Sequence, residues 1–140
     1  MKFPIFNFQF SIWVLVLGFW CFSPQVSYAA RLYFEPANMT VKVGQEFKVD
    51  LMLDPESEEL NALELNLQYP ASLVASRGIP TGESIISLWV EPPRVTDGIA
   101  GKIQMAGIMP GGFNGLIDPE TDALIPGVVA SFIFSSKEEG

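Results

Sequence analysis

Asp118, Glu120 and Asp122 stand at alternate positions of an Asp-Pro-Glu-Thr-Asp segment. Three hard oxygen donors in a loop are what a calcium ion takes, so these three are the candidate metal ligands. The segment is not an EF-hand loop, because Ala123 and Val129 fall where that loop needs glycine and glutamate. The plainer alternative is a solvated acidic loop. A second acidic group, Glu56, Glu58 and Glu59, is interleaved with Pro55 and Ser57, which are ordinary turn residues. The chain has no histidine, and its one cysteine is Cys21. Histidine acid-base chemistry, Ser-His-Asp triads and His-rich zinc sites are therefore excluded. Paired carboxylates would suffice for a glycosidase, but Asp50 and Glu64 occupy solvent-facing positions of alternating segments. They read as surface charges, and the chain is expected not to be an enzyme. Among the aromatic residues, Trp89, Tyr33 and Tyr69 fit a core, whereas Phe113, set in a glycine-rich run, is the candidate platform for a sugar ring.

The elements that must position these residues are strands. In residues 47–53, Phe47, Val49, Leu51 and Leu53 alternate with Lys48 and Asp50, Met52 being the one exception. Leu63, Leu65, Leu67 and Tyr69 alternate in the same way with Ala62, Glu64, Asn66 and Gln68. Period-2 alternation of this kind is a strand with one buried face. The two are expected to be adjacent antiparallel strands of a sandwich, joined by the acidic connector at 54–59. A Gly44-Gln45 turn is expected to link a short strand at 41–43 to the first of them.

The residues also resemble a known family. Gly-Gln-Glu-Phe-Lys-Val-Asp-Leu-Met-Leu from Gly44, then Ala-Leu-Glu-Leu-Asn-Leu-Gln-Tyr-Pro-Ala-Ser-Leu from Ala62, is similar to the start of cohesin modules. The family's Tyr-Asp-Pro is here Tyr69-Pro70, without the aspartate. Near the other end, Gly127-Val-Val-Ala-Ser-Phe-Ile-Phe134, followed by Lys137 and Gly140, lies over the family's Gly-x-Leu-Ala-x-Ile-x-Phe pattern without a gap. The resemblance implies an all-β, antiparallel jelly-roll sandwich. It also implies a non-catalytic module that attaches to a dockerin-type protein partner in extracellular or cell-surface assembly, commonly linked to polysaccharide degradation. The implied partner face is the outer side of the strands at Phe47 and Val128, presenting Lys48, Asp50, Ser131, Ile133 and Ser135. Carbohydrate binding, with Phe113 as its residue, and a structural role in an envelope protein are the alternatives. Cohesin-like modules continue past the glycine that Gly140 matches into one more strand. The sandwich over residues 30–140 is thus expected to lack its last strand and to leave residues 31–34 as an open edge.

Between these ends, residues 31–34 read as a first strand stopped by Pro36, with Leu32 and Phe34 inward. Residues 73–76 and 85–90 read as further strands, the latter ended by Pro92-Pro93, which exclude a central strand. Asp97-Gly98 is a tight turn before a strand from Gly101. Residues 110–126, opening Pro-Gly-Gly-Phe-Asn-Gly, read as one long loop.

The first 29 residues are set apart from this pattern. Lys2 precedes an apolar run over residues 10–22, then Ser23-Pro24 and the small-residue site Ser27-Tyr28-Ala29, the layout of a secretory signal. An uncleaved anchor is the alternative, but the run is shorter than the roughly 18 to 20 residues that span a bilayer. Lipidation at Cys21 is disfavoured by Phe19 and Trp20 before it. Cleavage removes Lys2 and no acidic residue, leaving seven basic against sixteen acidic, a net charge of −9. Such a domain repels nucleic acid and anionic membrane, and it is expected to be secreted or held at the cell surface. N-terminal sequencing of exported protein should read Ala30 first; Met1 retained in a membrane fraction would establish the anchor.

Overall fold

The computed structural model describes residues 29–137, so all but the last residue of the export signal expected at 1–29, and the glycine at 140, lie outside the described residues. Four strands, β1 (Arg31–Glu35), β2 (Glu46–Asp54), β9 (Gly127–Ser136) and β4 (Val74–Gly78), form one antiparallel sheet in the order β1-β2-β9-β4. Three more, β3 (Leu60–Gln68), β6 (Lys102–Phe113) and β5 (Leu88–Asp97), form a second in the order β3-β6-β5. β7 (Leu116–Ile117) and β8 (Leu124–Ile125) make a small hairpin. No described residue is helical, and no described helix is long and apolar enough to cross a membrane.

The alternation read from the sequence sets the inner faces. Leu51 and Leu53 of β2 are buried and Phe47 packs against the same core. On the opposite sheet Leu63, Leu65 and Leu67 face Gly107, Met105 and Ile103 in register. Gly107 is the small member of that row because Ile86 and Trp89 fill the space its side chain would take. β9 is the most enclosed strand: it is hydrogen-bonded to β2 on one edge and β4 on the other, and Val129, Ala130 and Phe132 are fully buried. Phe134 ties the layers together, lying 6.2 Å from Phe132, 5.8 Å from Phe47 and 5.2 Å from Tyr69, at the end of β3 in the other sheet.

Several expectations are corrected. β2 and β3 are not hydrogen-bonded neighbours: they belong to different sheets and face one another across the core. The acidic connector is a sheet-to-sheet turn, with Glu56 and Ser57 at positive φ and the Glu58 amide donating to the Pro55 carbonyl at 2.9 Å. Alternation reports which face is buried and is silent on which strand lies alongside. Residues 41–43 form no strand; Gly44, at φ 78°, closes the Lys42–Gln45 turn and donates instead to Ser136 at 2.8 Å. β5 runs on through Pro92 and Pro93, which an edge strand tolerates because its ladder to β6 shifts register between Glu91 and Arg94, where the prolines sit. The glycine-rich run at 110–113 is the end of β6 rather than a loop; Gly111 and Gly112 take positive φ where the register between β3 and β6 shifts.

β1 pairs with β2 alone among the described strands. Leu32 and Phe34 lie opposite Leu53 and Leu51, so they have the inward parity expected, and Phe34 meets Phe132 edge-on at 6.5 Å. Both nevertheless remain exposed, since the second sheet ends at β3 and does not reach over them.

Truncation of the aromatic centre should unfold the sandwich from the middle. Phe132→Ala is expected to cost about 3 to 5 kcal/mol in urea unfolding, whereas the exposed neighbour change Lys48→Ala should cost far less.

Candidate interaction surfaces

Cross-strand register gathers the five residues of the expected partner face. Lys48 stands opposite Ile133, Asp50 opposite Ser131 and Glu46 opposite Ser135 on the outer side of β2 and β9. They form a polar network that is largely closed on itself. Lys48 Nζ lies 3.7 Å from Asp50 Oδ1, Ser131 Oγ donates to the same oxygen at 2.6 Å, and Arg77 Nε of β4 donates to Ser135 Oγ at 2.9 Å. The two serines are consequently only 7% and 5% exposed, sunk beneath longer neighbours rather than presented to solvent. Glu46, Lys48 and the half-buried Ile133 are what these strands offer a partner.

The outer face of the β3-β6-β5 sheet is different. Ala62 of β3, Ile108 of β6 and Leu88 of β5 line up across the three strands, and Val90 adjoins them. Leu88 and Val90 are 53% and 67% exposed while Trp89 between them packs on the core. Toward the other end the rows turn polar, with Glu64 opposite Ala106, and Asn66 opposite Gln104, which pairs with Arg94. Arg94 is held by Glu91, Nη2 to Oε1, at 2.9 Å. An apolar patch beside hydrogen-bonding side chains on an outer sheet face is a surface that can dock a protein. The signal was present in the sequence: a run apolar on both faces must expose one of them if its strand lies in a two-layer sandwich.

Phe113 is not a sugar platform. It is the last residue of β6, 8% exposed, and sits against Gly127 in the core opposite Leu60. Asp118, Glu120 and Asp122 lie on the turn between β7 and β8, and they do not converge. Asp118 Oδ1 accepts from the Glu120 amide at 2.9 Å and Oδ2 accepts from the Thr121 hydroxyl at 3.0 Å, so its oxygens organise the turn. Asp122, at φ 55°, closes it by donating its amide to the Asp118 carbonyl. Among the described residues no three metal-ligating side chains form a group that could hold an ion, which corrects the calcium expectation.

No protein family's sequence profile matches the chain, and no curated protein matches it in sequence. Its architecture does have solved counterparts. The solution structure of CaCohA2 from Clostridium acetobutylicum, a cohesin, superposes with a TM-score of 0.50 at 13% identity, over 77% of this chain and 65% of that one. The fold is that of a cohesin module. The crystal structure of a type II cohesin-X-dockerin complex from Acetivibrio cellulolyticus, an N-terminal interface mutant, is also similar, with a TM-score of 0.47 and 16% identity over 80% of this chain and 72% of that one. The chain thus spans a little under two thirds of the length of CaCohA2. Within this cohesin fold the two outer sheet faces are the broad surfaces, and they differ in the way just described.

The turn carries its own test. The Glu120 amide and then the Thr121 hydroxyl hold the Asp118 carboxyl below the usual aspartate range. A depressed native pKa contributes stability that is present above the unfolded value of about 4 and is lost as pH falls through the native value. The melting temperature of Asp118→Ala should therefore lie below that of the parent chain at neutral pH. The gap should narrow on acidification, and millimolar calcium should shift neither protein.

Proposed function

We propose that this chain is an exported, non-catalytic attachment module that captures a dockerin-type protein partner on the outer face of its β3-β6-β5 sheet. The assembly would lie outside the cell and serve polysaccharide degradation. The observation that carries the choice of face is the exposure of Leu88 and Val90 beside Ile108 and Ala62. The apolar patch adjoins Glu64, Asn66, Gln104 and Arg94, so a partner can bury the apolar side chains and match the polar ones beside them. The β2-β9 face has already satisfied most of its polar groups internally. Burial of Phe113 removes the residue on which the carbohydrate alternative depended.

Surface plasmon resonance against purified dockerin modules from the same organism tests the reading. One of them should bind. Val90→Asp and Leu88→Asp should each weaken it by roughly ten-fold or more, as expected for anchors at the centre of an interface, and Ile133→Asp should change it little. Loss of capture with Ile133→Asp alone would transfer the site to the β2-β9 face. Retention on insoluble polysaccharide with no dockerin binding would overturn the proposal.

A further inference from the structure

Acidic residues outnumber basic ones two to one in this chain, yet one cleft reverses that balance. Arg77, Arg94 and Lys137 all line a cleft of about 560 Å³ between β4 and β5, and no carboxylate lines it. These are three of the seven basic residues found after residue 30. Arg77 commits Nε to Ser135, and Lys137 Nζ rests on the Ala71 carbonyl at 2.7 Å. Neither makes an ion pair with a described carboxylate. Arg94 is paired to Glu91, but that pair is exposed, and a competing carboxylate can exchange with it.

The backbone of the cleft adds a second element of recognition. β4 is the end strand of its sheet and has β9 as its one partner among the described strands, so its other edge is open. An open edge offers a row of amide and carbonyl groups to an extended polypeptide. Across the cleft β5 carries Pro92 and Pro93 and is the poorer template. Gly78 of β4 and Gly98 after β5 leave open space, with nothing within 4 Å of where a side chain would begin.

We infer that this cleft takes an extended acidic peptide, which adds to the free edge of β4 and sets its carboxylates against Arg77, Arg94 and Lys137. The main-chain edge favours a polypeptide over a free anion or an acidic saccharide, and the three cations favour glutamate or aspartate at alternate positions. The site shares Arg94 with the border of the β3-β6-β5 face, while Arg77, Lys137 and the β4 edge belong to the cleft alone.

The test is fluorescence anisotropy of a labelled, end-blocked peptide of alternating Glu and Val, beside the same peptide with Gln for Glu. The Glu peptide should bind, more weakly as salt rises, and the Gln peptide should not. Lys137→Gln and Arg77→Gln should each weaken binding about ten-fold, the loss expected for one charge-assisted hydrogen bond. Gly78→Leu should abolish it by filling the cleft. Arg77 also holds Ser135, so the melting temperature of each variant is measured, and Lys137→Gln and Gly78→Leu carry the test if Arg77→Gln is unstable. Amide exchange at residues 74–78 should slow in the complex. Absence of Glu-peptide binding, binding indifferent to Lys137→Gln and Gly78→Leu, or binding of oligogalacturonate in preference to the peptide would overturn the proposal.

Discussion

The contact on which the rest of the sandwich depends is the stack of aromatic rings about Phe134. Two sheets of short strands have few ways to hold one another, and here Phe132 and Phe134 project from the innermost strand of one sheet toward Tyr69 at the end of β3 in the other. Aromatic pairs at these separations add to the burial that large rings provide. β9 can present them rigidly because β2 and β4 hydrogen-bond both of its edges. The serines on its outer side are hidden by the longer Asp50 and Arg77 side chains that hydrogen-bond to them, while Ile133 between them stays half-buried.

This constraint decides which surfaces are left for function. A face whose polar groups are satisfied by one another has little to gain from a partner, because a new contact must first displace an existing one. On the β3-β6-β5 sheet the edge strand β5 places Leu88 and Val90 in solvent. Exposed apolar groups of this kind gain free energy when covered, roughly in proportion to area. The cohesin fold thus supplies two unlike faces from a single core.

The sides of the sandwich are also unlike. Between β1 and β3 the opening is apolar, with Phe34, Val49, Leu67 and Phe132 at its walls. Between β4 and β5 it is basic, with Arg77, Arg94 and Lys137. In both places an end strand has a single partner among the described strands, and the side chains nearby set the chemistry of whatever segment could join it.

Much of the fold was legible in the residues themselves. The parity of Phe47 to Leu53 and of Leu63 to Tyr69 determined two inner faces correctly, because alternation is a direct consequence of pleated geometry. Pro92 and Pro93 likewise determined that β5 could not be central, and the absence of histidine excluded whole classes of catalyst. The tertiary structure alone decided which strands are neighbours, since pairing depends on contacts between residues far apart in the chain that leave no local periodicity. It placed β2 and β3 in opposite sheets, drew Phe113 into the core at the end of a bulged strand, and turned the carboxyl of Asp118 toward its own backbone. It decided as well that Ser131 and Ser135, outward by parity, are hidden by their neighbours: parity fixes direction from the sheet, while exposure depends on what stands beside a residue.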